Sequence, residues 1–170
     1  MPFLFTRKII LIAALSLFAM VCGCEKDFQL RRPAPNFSLK NLSGDDISLE
    51  KFKGKVVILD FWATWCPPCR QSIPELVELQ SKYKDEGLIV LGISMDDSDR
   101  TNNNALQDFV QQYQINYTVL RSGDRVALDF FGSEQMAIPT MFVINREGEI
   151  VAKHIGYKPG ALERSLKEIL

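Results

Sequence analysis

After residue 55 the chain alternates between two kinds of hydrophobic pattern. Continuous apolar runs rich in Val and Ile mark buried strands, and apolar positions three and four apart mark helices. Residues 56–61 (VVILDF) form such a run, interrupted only by Asp60, and predict a central strand buried on both faces. A helix is predicted over 67–86, with Ile73, Leu76, Val77 and Leu79 on its apolar face and Gly87 as its stop. Residues 88–94 (LIVLGIS) predict a second buried strand and 96–104 (DDSDRTNNN) a loop. Leu106, Phe109, Val110 and Tyr113 give a helix over 105–114, followed by a short strand at 117–120 and a short helix at 126–131. Strands at 140–145 and 149–155 are joined by the turn Arg146-Glu147-Gly148, and a closing helix at 161–170 carries Leu162, Leu166 and Ile169 on one face. Upstream, 36–42 and 46–49 flank Ser43-Gly44-Asp45 and read as a hairpin. Strands alternating with helices give a parallel core, and the late hairpin adds antiparallel strands, so the class is α/β with a mixed central sheet flanked by helices.

The N-terminus follows a different rule. Arg7 and Lys8 precede a 13-residue apolar run, 9–21, broken only by Ser16. A spanning helix needs about 20 apolar residues, so the run has the length of a signal-peptide core. It ends Val21-Cys22-Gly23-Cys24, which resembles a bacterial lipobox with Cys24 as the acylated residue; simple cleavage without a lipid and an uncleaved anchor are the other readings. The expected organisation is a lipoprotein-type signal at 1–23, a polar tether at 24–32 and one domain at 33–170. Loss of 1–23 removes Arg7 and Lys8 and no acid, leaving 147 residues and moving the net charge from −1 to −3. Such a chain buries a substantial core. A multiply acylated cysteine would hold it at a membrane surface. The location implied is the bacterial cell envelope, outside the cytoplasm.

Composition narrows the chemistry. With 20 basic and 21 acidic residues and no polybasic run, the field a nucleic-acid partner requires is missing. His154 is the only histidine, which argues against multi-histidine metal sites and a histidine-based triad. Four cysteines remain, in two close pairs. The second pair, in Trp65-Cys66-Pro67-Pro68-Cys69-Arg70, falls where the central strand hands over to a helix. Half a zinc site would need another pair of soft ligands, and only Cys22, Cys24 and His154 are left; no metal is expected. Haem attachment needs histidine directly after the second cysteine, where Arg70 stands.

Redox exchange fits better. Positions i and i+3 of a helix share a face, near the ~5.5 Å Cα separation of a disulfide. Cys66 at the helix N-terminus would meet unpaired N–H groups and the positive dipole end, which favour the reactive thiolate. Cys69, one turn in, would be less exposed and would resolve a mixed disulfide. Pro67 and Pro68 fall in the first turn, where a missing N–H costs little. A purely structural bridge closing so short a loop would constrain the unfolded chain little.

Here the chain resembles the thioredoxin superfamily, closely over 56–70 (VVILDFWATWCPPCR) and again at Ile138-Pro139-Thr140. More narrowly it is similar to exported TlpA/ResA-like thiol–disulfide oxidoreductases, through Ala34-Pro35-Asn36-Phe37-Ser38-Leu39 ahead of a hairpin and the Phe52-Lys53-Gly54-Lys55 approach to the strand. The resemblance implies a thioredoxin-like fold with an N-terminal β-hairpin extension, and a monomer that needs no cofactor. Its partners would be protein disulfides or dithiols, such as apocytochrome c cysteines, and a membrane thiol electron carrier. It implies that Cys66 attacks, Cys69 resolves, and Trp65, Pro67, Ile138 and a cis Pro139 contact the substrate. By the residues alone, Pro139 suits a trans proline opening a strand equally well. Asp60 aligns with the buried acid behind the dithiol. Burial should raise its pKa and let it exchange a proton with Cys69, whereas an ordinary hydrogen-bonded core acid would have no such part. Trp62 and Trp65 read either as a cover for the dithiol or as packing.

One departure is visible. Relatives often carry glutamate three residues after the second cysteine; Ser72 stands there, and Glu75 follows on a somewhat different face. The reducing direction is implied because no histidine lies between the cysteines. Two rivals remain. A peroxiredoxin-like peroxidase shares the Ala-Pro-x-Phe start but needs threonine three residues before its reactive cysteine, where Ala63 stands. A chaperone or scaffold would use the fold without its redox chemistry.

Overall fold

The computed structural model describes residues 31–123 and 125–170. The expected export signal, Cys24 and the tether up to residue 30 lie outside the described residues.

The apolar run becomes strand β4 (Val56–Trp62), buried at every position. It lies inside a six-stranded mixed sheet. On one side it pairs in parallel with β5 (Leu88–Ser94), which pairs in parallel with β6 (Thr118–Arg121). On its other side β7 (Thr140–Ile144) is antiparallel, followed by β8 (Glu149–Ile155) and the two-residue edge strand β1 (Arg32–Pro33). The order is β1-β8-β7-β4-β5-β6. Arg32, read as tether from sequence, thus belongs to the sheet and also donates to the Phe130 carbonyl at 2.8 Å. Pro33 lacks an N–H and is tolerated because β1 is an edge.

The predicted hairpin is present as β2 (Ser38–Lys40) and β3 (Asp46–Ser48). Its turn is built by Asn41, whose Oδ1 accepts from the amides of Ser43 and Asp45. Helix α1 (Pro67–Tyr83) runs unbroken through Pro74 and ends in a 3₁₀ turn before Gly87, whose φ of +94° is the left-handed stop. Helix α2 (Asn103–Gln112) begins two residues before its predicted start, because the Asn102 side chain accepts from the Ala105 amide and caps it. Helix α3 (Val126–Phe131) matches its prediction, and α4 (Ala161–Leu166) stops short of the predicted residue 170.

Two apolar layers cover the sheet. One face packs Ile58 and Trp62 against Ile73 and Leu76 of α1, Leu106 and Phe109 of α2, and Leu162 of α4. The other packs Phe61 against Phe130, Phe131 and Phe142 with ring centroids 5.1–5.8 Å apart, and Phe37 of the hairpin segment closes over them. β4 and β5 end at the same edge of the sheet, and the turn into α1 starts there. In open parallel sheets, reactive groups gather at that edge.

Candidate active site

Cys66 and Cys69 are joined as a disulfide, with Cα atoms 5.3 Å apart. Cys66 is the N-cap of α1, and its Sγ accepts from the Cys69 amide at 3.3 Å. A cap sulfur facing orphan amides at the positive end of a helix stabilises a thiolate. The first turn carries no acid to oppose that charge, and Pro67 and Pro68 forfeit no hydrogen bond there. The expected contrast in exposure is small: Cys66 is 3% exposed and Cys69 fully buried. Trp65, beside them, is 64% exposed and forms the outer wall. Trp62 is buried and stacks on Phe109 at 5.2 Å, so the two tryptophans divide into one surface and one core role.

The Ile138–Pro139 bond is cis. Ile138 packs against the core cluster that holds both cysteines, and the Pro139 carbonyl accepts from the Gly156 amide at 2.8 Å.

Asp60 alternates with Ile58 and Trp62 on the helix-facing side of β4, the side whose core includes the cysteines, and is fully buried. Neither carboxyl oxygen has a hydrogen-bond partner. Burial alone pushes its pKa up to about 8. Tyr117, also buried, is pushed well above the usual phenol value by burial and by the neighbouring Asp60 charge. The other candidate acid is turned away: Glu75 accepts from the Gly160 amide at 3.2 Å, in the loop after β8. Ser72, where relatives carry glutamate, is buried and donates to the Cys69 carbonyl at 2.9 Å.

Sequence reasoning missed Asp96. It reads as part of a solvated loop, yet it is 6% exposed and its carboxylate accepts from the Thr64 amide, the Thr64 hydroxyl at 2.6 Å and the Ser94 hydroxyl at 2.9 Å. From the other side the Arg70 guanidinium donates to the Thr64 carbonyl at 2.6 and 2.8 Å. The segment entering Cys66 is therefore clamped at both ends of the Thr64 peptide. The available signal was position: Asp96 follows the carboxyl end of β5, beside the end of β4. Among the described residues no cluster of His, Cys, Asp or Glu has the arrangement of a metal site, and no helix is long and apolar enough to cross a membrane.

A disulfide capping a helix, a cis proline whose preceding Ile138 packs on the same core, and a buried acid of raised pKa on a mixed six-stranded sheet define a thioredoxin-fold thiol–disulfide oxidoreductase. Comparison with known proteins agrees. The AhpC/TSA family model matches residues 30–153, and the chain belongs to that family. It is 34% identical over 146 residues to the thiol-disulfide oxidoreductase ResA of Bacillus thuringiensis subsp. konkukian, covering 85% of this chain and 81% of that one. Thioredoxin-like protein YneN of Bacillus subtilis is 35% identical over 132 residues, covering 78% and 75%. Among solved structures, a thiol:disulfide interchange protein of the thioredoxin family from Chlorobium tepidum is 30% identical with a TM-score of 0.72, covering 81% of this chain and 95% of that one. The ResA-type relatives and the thiol:disulfide interchange neighbour bear out the expected fold and the ResA-like resemblance, and the chain is an oxidoreductase of that type.

Proposed function

We propose that the protein is a membrane-tethered reductant of protein disulfides outside the cytoplasm, with apocytochrome c thiols among its products. The observation that carries the chemistry is the disulfide capping α1, with Cys66 Sγ facing the Cys69 amide. In the reduced protein the Cys66 thiolate attacks a substrate disulfide and releases one substrate thiolate. Cys69 gives its proton to Asp60 and attacks Cys66 Sγ. The intramolecular disulfide forms, the mixed disulfide breaks, and the second substrate thiolate leaves with the electron pair. A membrane dithiol carrier returns the two electrons. Trp65, Pro67, Ile138 and Pro139 receive the substrate chain, and Cys24 carries the lipid. The peroxidase alternative loses ground because Ala63 stands where its threonine is needed, and the ResA and YneN relatives are named as a thiol-disulfide oxidoreductase and a thioredoxin-like protein.

The test is capture in the native envelope. Cys69→Ser should accumulate mixed disulfides through Cys66, and their identity gives substrate and direction of electron flow. Wild-type insulin reduction by Cys66→Ser would remove the assignment of attack to Cys66. A captured set without envelope proteins would remove the location.

A further inference from the structure

Four buried polar atoms on one face of the sheet lack a hydrogen-bond partner: both oxygens of Asp60, Trp62 Nε1 and the Tyr117 hydroxyl. Asp60 and Trp62 are two residues apart on β4 and so share a face. Tyr117 directly precedes β6, two residues from Val119, and belongs with Val119 and Trp62 to the helix-side core. They converge at Gly92, which is the register partner of Asp60 on one side and of Val119 on the other. A Cβ at Gly92 would lie 2.8 Å from Trp62 Nε1 and 3.1 Å from Tyr117 Cε2. The absent side chain is what admits the indole N–H and the phenol ring beside the acid.

The buried Ser72, Ser94, Asp96 and Thr140 all have partners, and the one further unpartnered buried side-chain atom among the described residues is Nη1 of half-buried Arg121 at the end of β6. Leaving a buried polar group unsatisfied forfeits its hydration without compensation, so a cluster of three such side chains needs a reason. The donor inventory supplies one. Trp N–H only donates, a protonated Tyr hydroxyl can donate, and an ionised carboxylate only accepts. Two donors around one carboxyl match the ionised acid, the form Asp60 must reach before it takes a proton.

We propose that Tyr117, assisted by Trp62, is a positioning residue for Asp60. Its hydroxyl donates towards the carboxylate across one water, and so sets the pH at which Asp60 becomes competent to accept the Cys69 proton. The proposal rests on the assignment of that proton transfer to Asp60. Tyr117 keeps its own proton throughout; the transferred proton goes from Cys69 to Asp60 while the electron pair leaves with the substrate thiolate. Burial and the Asp60 charge both hold the phenol protonated well above its ordinary range.

Other ionisable groups on the covering elements are engaged or at the surface. Arg70 holds Thr64, Glu75 holds Gly160, Lys82 pairs with Glu163, and Glu78 and Asp108 are exposed. On the sheet, His154 of β8 faces this side across Met141 and bonds Ser165, and half-buried Arg121, two residues past Val119 on the same face, ends β6 opposite Ser94 with Nη1 unpartnered. The dithiol itself completes the set.

The experiment follows Asp60 by carboxyl-carbon NMR titration in the full chain, alongside the pH profile of insulin reduction. Tyr117→Phe keeps the ring and removes only the donor. Its Asp60 midpoint should rise by about one pH unit, a tenfold change in the ionisation constant. The Asp60-dependent rise in rate should move up by the same interval, so that turnover below the new midpoint falls up to about tenfold and turnover above it is unchanged. Asp60→Asn should lack that rise, and adding Tyr117→Phe to it should change nothing further. A midpoint unchanged in Tyr117→Phe, with the rise still lost in Asp60→Asn, overturns the role of Tyr117 and leaves that of Asp60 standing. A wild-type profile in Asp60→Asn overturns the proton transfer and the proposal together.

Discussion

Replacing Asp60 by Asn should make the oxidised protein more stable at neutral pH, and the size of the effect follows from burial. The carboxyl is fully buried, without a partner, and its pKa is raised from 3.8 to about 8. Between those values the folded chain keeps a proton that the unfolded chain has lost. Stability therefore changes with a negative slope of about 1.4 kcal/mol per pH unit across that window. It is fully present below about pH 4, falls until about pH 8 and is level above. By pH 7 the loss amounts to roughly 4 kcal/mol. Asn does not titrate, so the stability of Asp60→Asn minus that of the wild type should climb by that amount between pH 4 and pH 7. Urea unfolding of both proteins at half-unit pH intervals reads the difference directly, and other titrating groups cancel in the subtraction. A difference curve flat from pH 4 to pH 8 would refute the reasoning, because it would mean that folding leaves the Asp60 carboxyl solvated or paired. In Tyr117→Phe the fall should extend to higher pH.

The clamp ahead of the cysteines gives a second expectation. Asp96→Ala removes three hydrogen bonds to a charged acceptor and should lower the unfolding free energy by about 2–4 kcal/mol in urea, with slower insulin reduction. Gly92→Ala should cost about 1–3 kcal/mol, since its Cβ would press on Trp62 and Tyr117; an unshifted urea midpoint would show that the rings yield freely. Trp65→Ala should leave the midpoint within about 0.5 kcal/mol because the ring is mostly exposed, while KM for a protein disulfide rises; an unchanged KM would remove Trp65 from the substrate surface.

Three elements have the bounds that the sequence pattern predicts: β5, a mostly apolar buried run, and α3 and β8, each set off by turn residues. Boundaries set by a single side-chain bond were not legible. The run of three Asn at 102–104 reads as loop, and the Asn102 cap makes its last two members the start of α2. The end of α4 failed in the opposite sense. Ile169 keeps the helical spacing, but after Leu166 the chain closes with turns in which the Ile169 and Leu170 amides both bond the Leu166 carbonyl. The dithiol and Asp60 were legible because their spacing and setting are local. Asp96 and Tyr117 were not, because each acquires its meaning from a strand far away in sequence: Asp96 by reaching Thr64 across 32 positions, and Tyr117 by lying against Gly92.

The register of β4 explains why an acid can occupy position 60 and not its neighbours. Val57, Leu59 and Phe61 project into the layer where Phe61 meets Phe130, Phe131 and Phe142. A carboxyl at 59 or 61 would enter that aromatic layer and displace the ring packing there. At 60 it shares a face with an indole N–H, a phenol and the two sulfurs. Its neutral form is tolerated within the apolar packing, and in the proposed mechanism its charged form costs stability in the same pH range in which it takes the Cys69 proton. The destabilisation and the proton acceptor are therefore one group, and a variant that removes the first removes the second. That coupling is the stability–activity trade expected of a strained active site, here carried by one carboxyl whose face is set by the two-residue repeat of a strand.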